Sequence, residues 1–127
     1  PGEIVLPGAG DFDLPGWGLR VSIEEVDRAD GPPAPSTKDS ATLAGVTFPV
    51  RVRPRREGDR IVPFGMKGKK KLSDIMIDAK IPLRDRAALP VFEDSEGIIW
   101  VPGLVTAERT RVTGSSRKVL TFLLADK

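Results

Sequence analysis

The chain contains neither cysteine nor histidine. Without cysteine there is no disulfide framework and no thiolate nucleophile. Without histidine, imidazole acid–base chemistry and the common zinc sites are excluded. The expectation for this chain is no catalytic residue, no metal and no cofactor. No apolar run approaches the length of a membrane span and no secretory leader heads the sequence, so we expect no membrane partner and a cytoplasmic location. Hydrophobic residues make up 39% of the 127, enough for a modest core without staples. The first residue is Pro1 rather than Met, and the expectation is a single domain, residues 1–127, belonging to something longer.

Charge is abundant and unevenly placed. Arg51 to Arg86 carries twelve of the twenty bases against five acids, a net of +7. Residues 1–50 are net −5 and residues 87–127 are neutral, so a chain of formal charge +2 conceals one concentrated basic segment.

Thirteen Gly and twelve Pro punctuate short apolar runs, which predicts many short strands joined by tight turns. Glu3–Leu6 reads as a strand, and Gly8 and Gly10 turn the chain toward Phe12–Leu14. Leu19, Val21, Ile23 and, after a one-residue slip, Val26 alternate with polar residues as in a half-buried strand. Residues 29–40, with three prolines and no large apolar side chain, are expected to be a mobile loop. Thr47–Arg53 predicts a strand with Phe48, Val50 and Val52 on one face, and Arg51, Arg53 and then Arg55 on an exposed one.

From Lys71 the period changes: Leu72, Ile75, Met76 and Ala79 form an apolar stripe on a helix of about ten residues. Pro82 ends it and starts a second helix, Leu83–Ala88, from a first-turn position. Val91–Glu93 and Ile98–Val101 flank a turn at Asp94–Gly97, and Arg109–Thr113 with Lys118–Leu124 predict a last hairpin. The fold class is α+β: short, mostly antiparallel strands in a barrel- or sandwich-like arrangement, with one helical hairpin inserted at about residues 70–88.

Gly65 to Lys71, GMKGKKK, is not a nucleotide phosphate loop. Its glycine spacing is too short, and Leu72 stands where a magnesium-binding hydroxyl is required. Two glycines among four lysines describe instead a loop able to lie against a phosphate backbone, next to the positive end of the following helix. Asp74 and Asp78 share one side of that helix and read as a solvated face. The aromatic residues read as core; Phe64 alone lies between two basic stretches, where it could pack under a nucleic-acid contact. A charge run is usually only a solvated face, but here strand, turn, loop and helix start are all basic. Arginine suits bidentate phosphate recognition, and lysine acts as a point charge.

Arg55-Arg56-Glu57-Gly58-Asp59-Arg60, Phe64-Gly65-Met66, Lys70-Lys71-Leu72-Ser73-Asp74, Asp78-Ala79-Lys80-Ile81-Pro82, Arg84-Asp85-Arg86, Leu89-Pro90 and Trp100-Val101-Pro102-Gly103 follow one another in this chain. Together they resemble the C-terminal domain of bacterial tRNA(Ile)-lysidine synthetase, most strongly over residues 47–107. The resemblance implies a barrel-like β fold similar to a tRNA-synthetase accessory domain. It also implies a non-catalytic module of a ligase that uses ATP and lysine as substrates to convert the wobble cytidine of tRNA(Ile) to lysidine. The phosphate loop of the family's catalytic domain, Ser-Gly-Gly-x-Asp-Ser, is absent here, so this fragment alone is expected to be inactive.

The expected partners are tRNA(Ile), gripped on its acceptor-stem side, and the N-terminal catalytic domain. Arg55, Arg56, Arg60, Lys67, Lys69, Lys70 and Lys71 are the candidate phosphate contacts, with Lys80, Arg84 and Arg86 behind them. Gly58-Asp59 reads as a turn. The alternative is a protein-interaction module or homodimer that pairs its acidic and basic segments.

Overall fold

Alternating apolar residues build two sheets, and their facing sides enclose the main core. The computed structural model describes residues 2–27, 36–116 and 118–127. In chain order the strands are β1 (Ile4–Leu6), β2 (Gly10–Leu14), β3 (Leu19–Asp27), β4 (Ser40–Ala44), β5 (Val50–Arg53), β6 (Arg60–Ile61) and β7 (Lys70–Lys71). After the short helices α1 (Leu72–Asp78) and α2 (Leu83–Arg86) come β8 (Val91–Asp94), β9 (Gly97–Val101), β10 (Val105–Thr106) and β11 (Lys118–Asp126). One sheet runs β1-β5-β8-β9-β10 and the other β2-β3-β11-β4; β6 and β7 pair as a separate two-stranded ribbon. The pairs within these sheets are antiparallel, which bears out the expected α+β class.

Leu6, Val21, Ile23, Leu43, Val50, Val52, Phe92 and Phe122 meet between the two sheets. At their centre Phe92 lies 4.9 Å from Trp100 and 6.0 Å from Phe122, centroid to centroid, within the range of favourable aromatic pairs. A register shift follows Phe92: Phe92 faces Trp100 and Glu93 faces Ile98, with Ile99 left over. This bulge lets the adjacent residues Ile99 and Trp100 both enter the main core.

The outer side of the five-stranded sheet is covered too. Val91, Ile98 and Val101 there pack with Ile61 of β6 and with Leu72 and Met76 of α1 in a second core. The basic ribbon and α1 therefore sit on a sheet buried on both faces, and the apolar run of β9 has the near-continuous character such a strand needs.

Several local expectations are corrected. Helix α1 has seven residues instead of about ten; Leu72 and Met76 are buried, but Ala79 is exposed and Lys80 adopts a left-handed φ of 58°. Helix α2 ends at Arg86, with Pro82 one position before its first residue. The last hairpin does not form. Glu108–Thr110 is a 3-10 turn whose Thr110 hydroxyl donates to the Ala107 carbonyl, and β11 pairs with β3 and β4 instead. Strand β4 was not anticipated beside the proline-rich loop. Of that loop, residues 29–35 lie outside the described residues. Its end is tied into a turn in which the Thr37 N–H donates to the Ser40 carbonyl at 2.8 Å.

Candidate nucleic-acid interface

The arginine turn is built around one guanidinium. Arg53, the last residue of β5, is only 3% exposed, against the expectation that it stands on an open face with Arg51 and Arg55. Its Nε and Nη2 donate to the Glu93 carboxylate at 2.9 and 3.1 Å. Its Nη2 and Nη1 donate to Asp59 at 3.0 and 3.1 Å, and Nη1 also reaches the Pro54 carbonyl at 3.0 Å. All five N–H donors are thereby used. Burial works against the charged form, but the hydrogen bonds and charges of Asp59 and Glu93 outweigh it and hold the Arg53 pKa above its already high value.

Asp59 closes the turn as its sequence position suggested. It accepts from the Arg56 N–H at 2.7 Å, and Gly58 supplies the positive φ of 87°. The Asp59 carbonyl accepts from the Leu72 N–H at 2.9 Å, which fastens the turn to the start of α1. That helix therefore offers its first amide to the protein and not to a ligand.

In the ribbon, Arg60 lies directly opposite Lys71 and Ile61 opposite Lys70. Like charges facing each other across strands are unfavourable. Arg55, Arg56, Arg60 and Lys71 gather around a cleft of about 280 Å³ that Glu57, Gly58, Asp59 and Ser73 also line, the Asp59 carboxylate being taken up by Arg53 and the Arg56 N–H. Arg60, Lys67, Lys69 and Lys71 are exposed and Arg55 is half-buried. None of these five forms an ion pair among the described residues.

Other candidates are less available. Arg56 donates to Glu3 at 3.1 Å, and Arg51 donates to the same carboxylate at 2.8 Å, so part of the acidic N-terminal segment neutralises part of the basic one within the chain. Half-buried Lys70 pairs with Asp78, which also accounts for one member of the Asp74/Asp78 pair. Arg86 is half-buried with Nε donating to the Ile81 carbonyl, while Lys80 and Arg84 are exposed. These three follow the far end of α1, about 10 Å along the helix from Lys71, and do not line the cleft.

Phe64 is exposed, contrary to the general assignment of the aromatics to the core. Two residues missed in the sequence hold it there. The Gly65 N–H donates to the Glu108 carboxylate at 2.8 Å, Arg111 donates to the same carboxylate at 3.0 Å, and the Arg111 guanidinium lies 5.2 Å from the Phe64 ring centroid. The Gly65 hydrogen bond, then Arg111, keep the Glu108 pKa below the usual range. The only signal in the sequence was the Pro63-Phe64-Gly65 turn; nothing there connects it to residues more than forty positions away. Among the described residues no cluster of His, Cys, Asp and Glu could hold a metal, and no helix is long and apolar enough to cross a membrane.

The family model described as the TilS substrate C-terminal domain matches residues 50–121, from β5 through the arginine turn and ribbon into β11. The chain belongs to that family. The chain is 37% identical over 93% of its length to the tRNA(Ile)-lysidine synthase of Symbiobacterium thermophilum, and 38% identical over 98% to that of Bacillus licheniformis. It spans about a quarter of the length of these relatives: 25% of each.

A crystal structure of a TilS C-terminal domain superposes with a TM-score of 0.77 at 30% identity, covering 98% of this chain and 97% of the other. An N-terminal fragment of the phenylalanyl-tRNA synthetase β-subunit from Pyrococcus horikoshii shares the fold at 20% identity and a TM-score of 0.55, over 84% of this chain and 29% of that one. The family's domain fold thus accounts for almost the whole chain.

Proposed function

We propose that this TilS C-terminal domain is the tRNA-gripping module of a tRNA(Ile)-lysidine synthetase, a ligase that consumes ATP and lysine to modify a wobble cytidine. In this reading the chemistry belongs to a separate catalytic domain, and the module holds the tRNA on its acceptor-stem side. The observation that carries it is the apposition of Arg60 and Lys71 across β6 and β7, with neither in an ion pair among the described residues. A surface that maintains this repulsion beside unpaired Arg55, Lys67 and Lys69 is complementary to a polyanion. An A-form stem presents regularly spaced phosphates and little readable sequence, so contacts of this kind position the RNA without specifying it.

Five free cations, with Lys80 and Arg84 as outer members, give an expected log–log salt slope of about −4 to −6 for tRNA binding. Lys67, Lys69 and Lys71 are the residues to reverse, since Lys70 is committed to Asp78. Their combined replacement by glutamate is expected to weaken binding across tRNA sequences and flatten the slope by about 3. Unchanged affinity in that variant, or a salt-independent wild-type constant, would refute the proposal. The competing reading, a dimer formed by acidic and basic segments, is weakened because Glu3 already pairs with Arg51 and Arg56 of its own chain.

A further inference from the structure

Phe64 lines a second cleft, separate from the one bounded by the arginine turn. It measures about 440 Å³ and is bordered by Thr37, Lys38, Pro63, Gly103, Leu104 and Thr106 as well as Phe64. That volume lies in the range of small-ligand sites and admits one nucleotide, not a helix. Phe64 is 57% exposed yet firmly mounted. Its N–H donates to the Thr106 carbonyl at 2.9 Å, the Met66 N–H closes the turn onto the Pro63 carbonyl at 2.9 Å, and Pro63 bridges to Ala107. Arg111 is braced by Glu108 against the ring. An aromatic side chain left in solvent but fixed on every side of its backbone is preorganised for a flat partner.

The surroundings select which flat partner. Pro63 and Leu104 supply apolar surface and Thr106 a hydroxyl, while the Thr37 hydroxyl is engaged by Asp39 and Ser40. Two cations flank Phe64, Lys38 in the cleft and Arg111 on the ring; the nearby Glu108 carboxylate is taken up by Arg111 and the Gly65 N–H. Lys67 follows three residues later at the start of the lysine loop. A π-face between cations suits a planar group carried on an anionic polymer. Gly103 allows the cleft wall to approach Lys38 closely: a Cβ there would lie 3.3 Å from the Lys38 Cβ, on a backbone with φ of 75°.

We infer that the cleft beside Phe64 receives a single unpaired nucleobase of the bound RNA, stacked on the Phe64 ring, while the basic ribbon holds the adjoining phosphates. This inference rests on the RNA-binding reading above. Stacking of one base on an aromatic side chain corresponds to roughly a 5- to 100-fold gain in affinity. The unpaired base can come from a single-stranded end or from a bulge, and the test separates these sources.

The wild-type chain, Phe64→Leu and Phe64→Trp are titrated with three RNA hairpins of identical stem: blunt, with a four-nucleotide 3′ extension, and with one bulged base. The unpaired positions carry 2-aminopurine. The expected result is tighter binding of the extended or the bulged RNA than of the blunt one, by the stated factor, with altered 2-aminopurine fluorescence. Phe64→Leu loses that advantage, Phe64→Trp keeps it, and all three proteins bind the blunt stem alike. Equal affinity of the wild-type chain for all three hairpins would overturn the base site while leaving RNA binding intact. So would an equal loss for all three in Phe64→Leu. Failure to bind any hairpin at low salt would remove the RNA-binding reading and the base site with it.

Discussion

Replacing Arg53 by methionine separates charge that holds the fold from charge that faces a ligand. The substitution retains most of the side chain's length but removes five hydrogen bonds. It leaves the Asp59 and Glu93 carboxylates, 11% and 21% exposed, without their shared counter-charge. Breaking a fully buried pair costs about 3–5 kcal/mol. Because both carboxylates retain some access to water, the expected loss here is about 2–4 kcal/mol.

With an unfolding entropy near 2.1 cal/mol/K per residue, 1 kcal/mol corresponds to about 4 °C in a domain of this size. Thermal unfolding followed by circular dichroism should therefore show Tm lowered by about 7–15 °C. Phe92-centred packing should survive, since the main core lies on the other face of the sheet. Arg53→Lys, with charge but three donors in place of five, should fall between. At a temperature where both proteins are folded, the salt slope for RNA should be the same in Arg53→Met and wild type, because this guanidinium is not available to phosphate. A Tm within about 2 °C of wild type would refute the structural assignment. A slope reduced by nearly one would refute the claim that Arg53 is withheld from the ligand.

Glu3→Ala frees Arg51 and Arg56; if both lie beside the RNA, the salt slope steepens by up to about 2 and low-salt affinity rises, while Tm barely changes because the pairs are exposed. An unaltered slope in a filter-binding titration would place both arginines outside the contact. Asp94 has no exposed side-chain surface and accepts from Arg109 at 2.6 and 3.1 Å and from the N–H groups of Thr47 and Glu96. Burial pushes its pKa up, but these hydrogen bonds more than reverse that and hold it below the usual 3.8. Its stabilisation is therefore complete above about pH 4 and lost as pH falls through the lower folded value. Asp94→Asn should be less stable at neutral pH and show a shallower acid limb in a Tm-against-pH series; an acid limb identical to wild type would contradict this.

The alternation in β3 and β5 and the apolar stripe of α1 were legible because each is set by which residues of one local segment face a core. The assignment of Arg53 failed for a definite reason. Alternation separates two faces of a strand, but it exposes one of them only if nothing covers it. In β5, β8 and β9 the second face is covered by the ribbon and α1, so Val91 and Phe92 are both buried, in different cores, and Arg53 is buried too. The failed hairpin has another cause. The pairing of β11 with β3 and β4 joins residues far apart in the chain, and nothing local to residues 109–124 distinguishes those partners from Arg109–Thr113.

The same covering layer explains how an electrostatically unfavourable ribbon persists. Two residue pairs, one of them Arg60 against Lys71, are too few to hold a hairpin in water. Ile61 and Leu72 bury into the second core beside Met76, and the Leu72 N–H is bonded to the Asp59 carbonyl inside the turn that Arg53 fixes. Apolar burial and one neutralised arginine thus offset the repulsion among the arginines and lysines outside. On the proposed reading, a polyanion lying across the ribbon would relieve that repulsion directly, and its binding would be linked to ribbon stability. The +7 of the basic segment is in this sense two populations: Arg53 belongs to the scaffold, and Arg60 and Lys71 are held apposed by it.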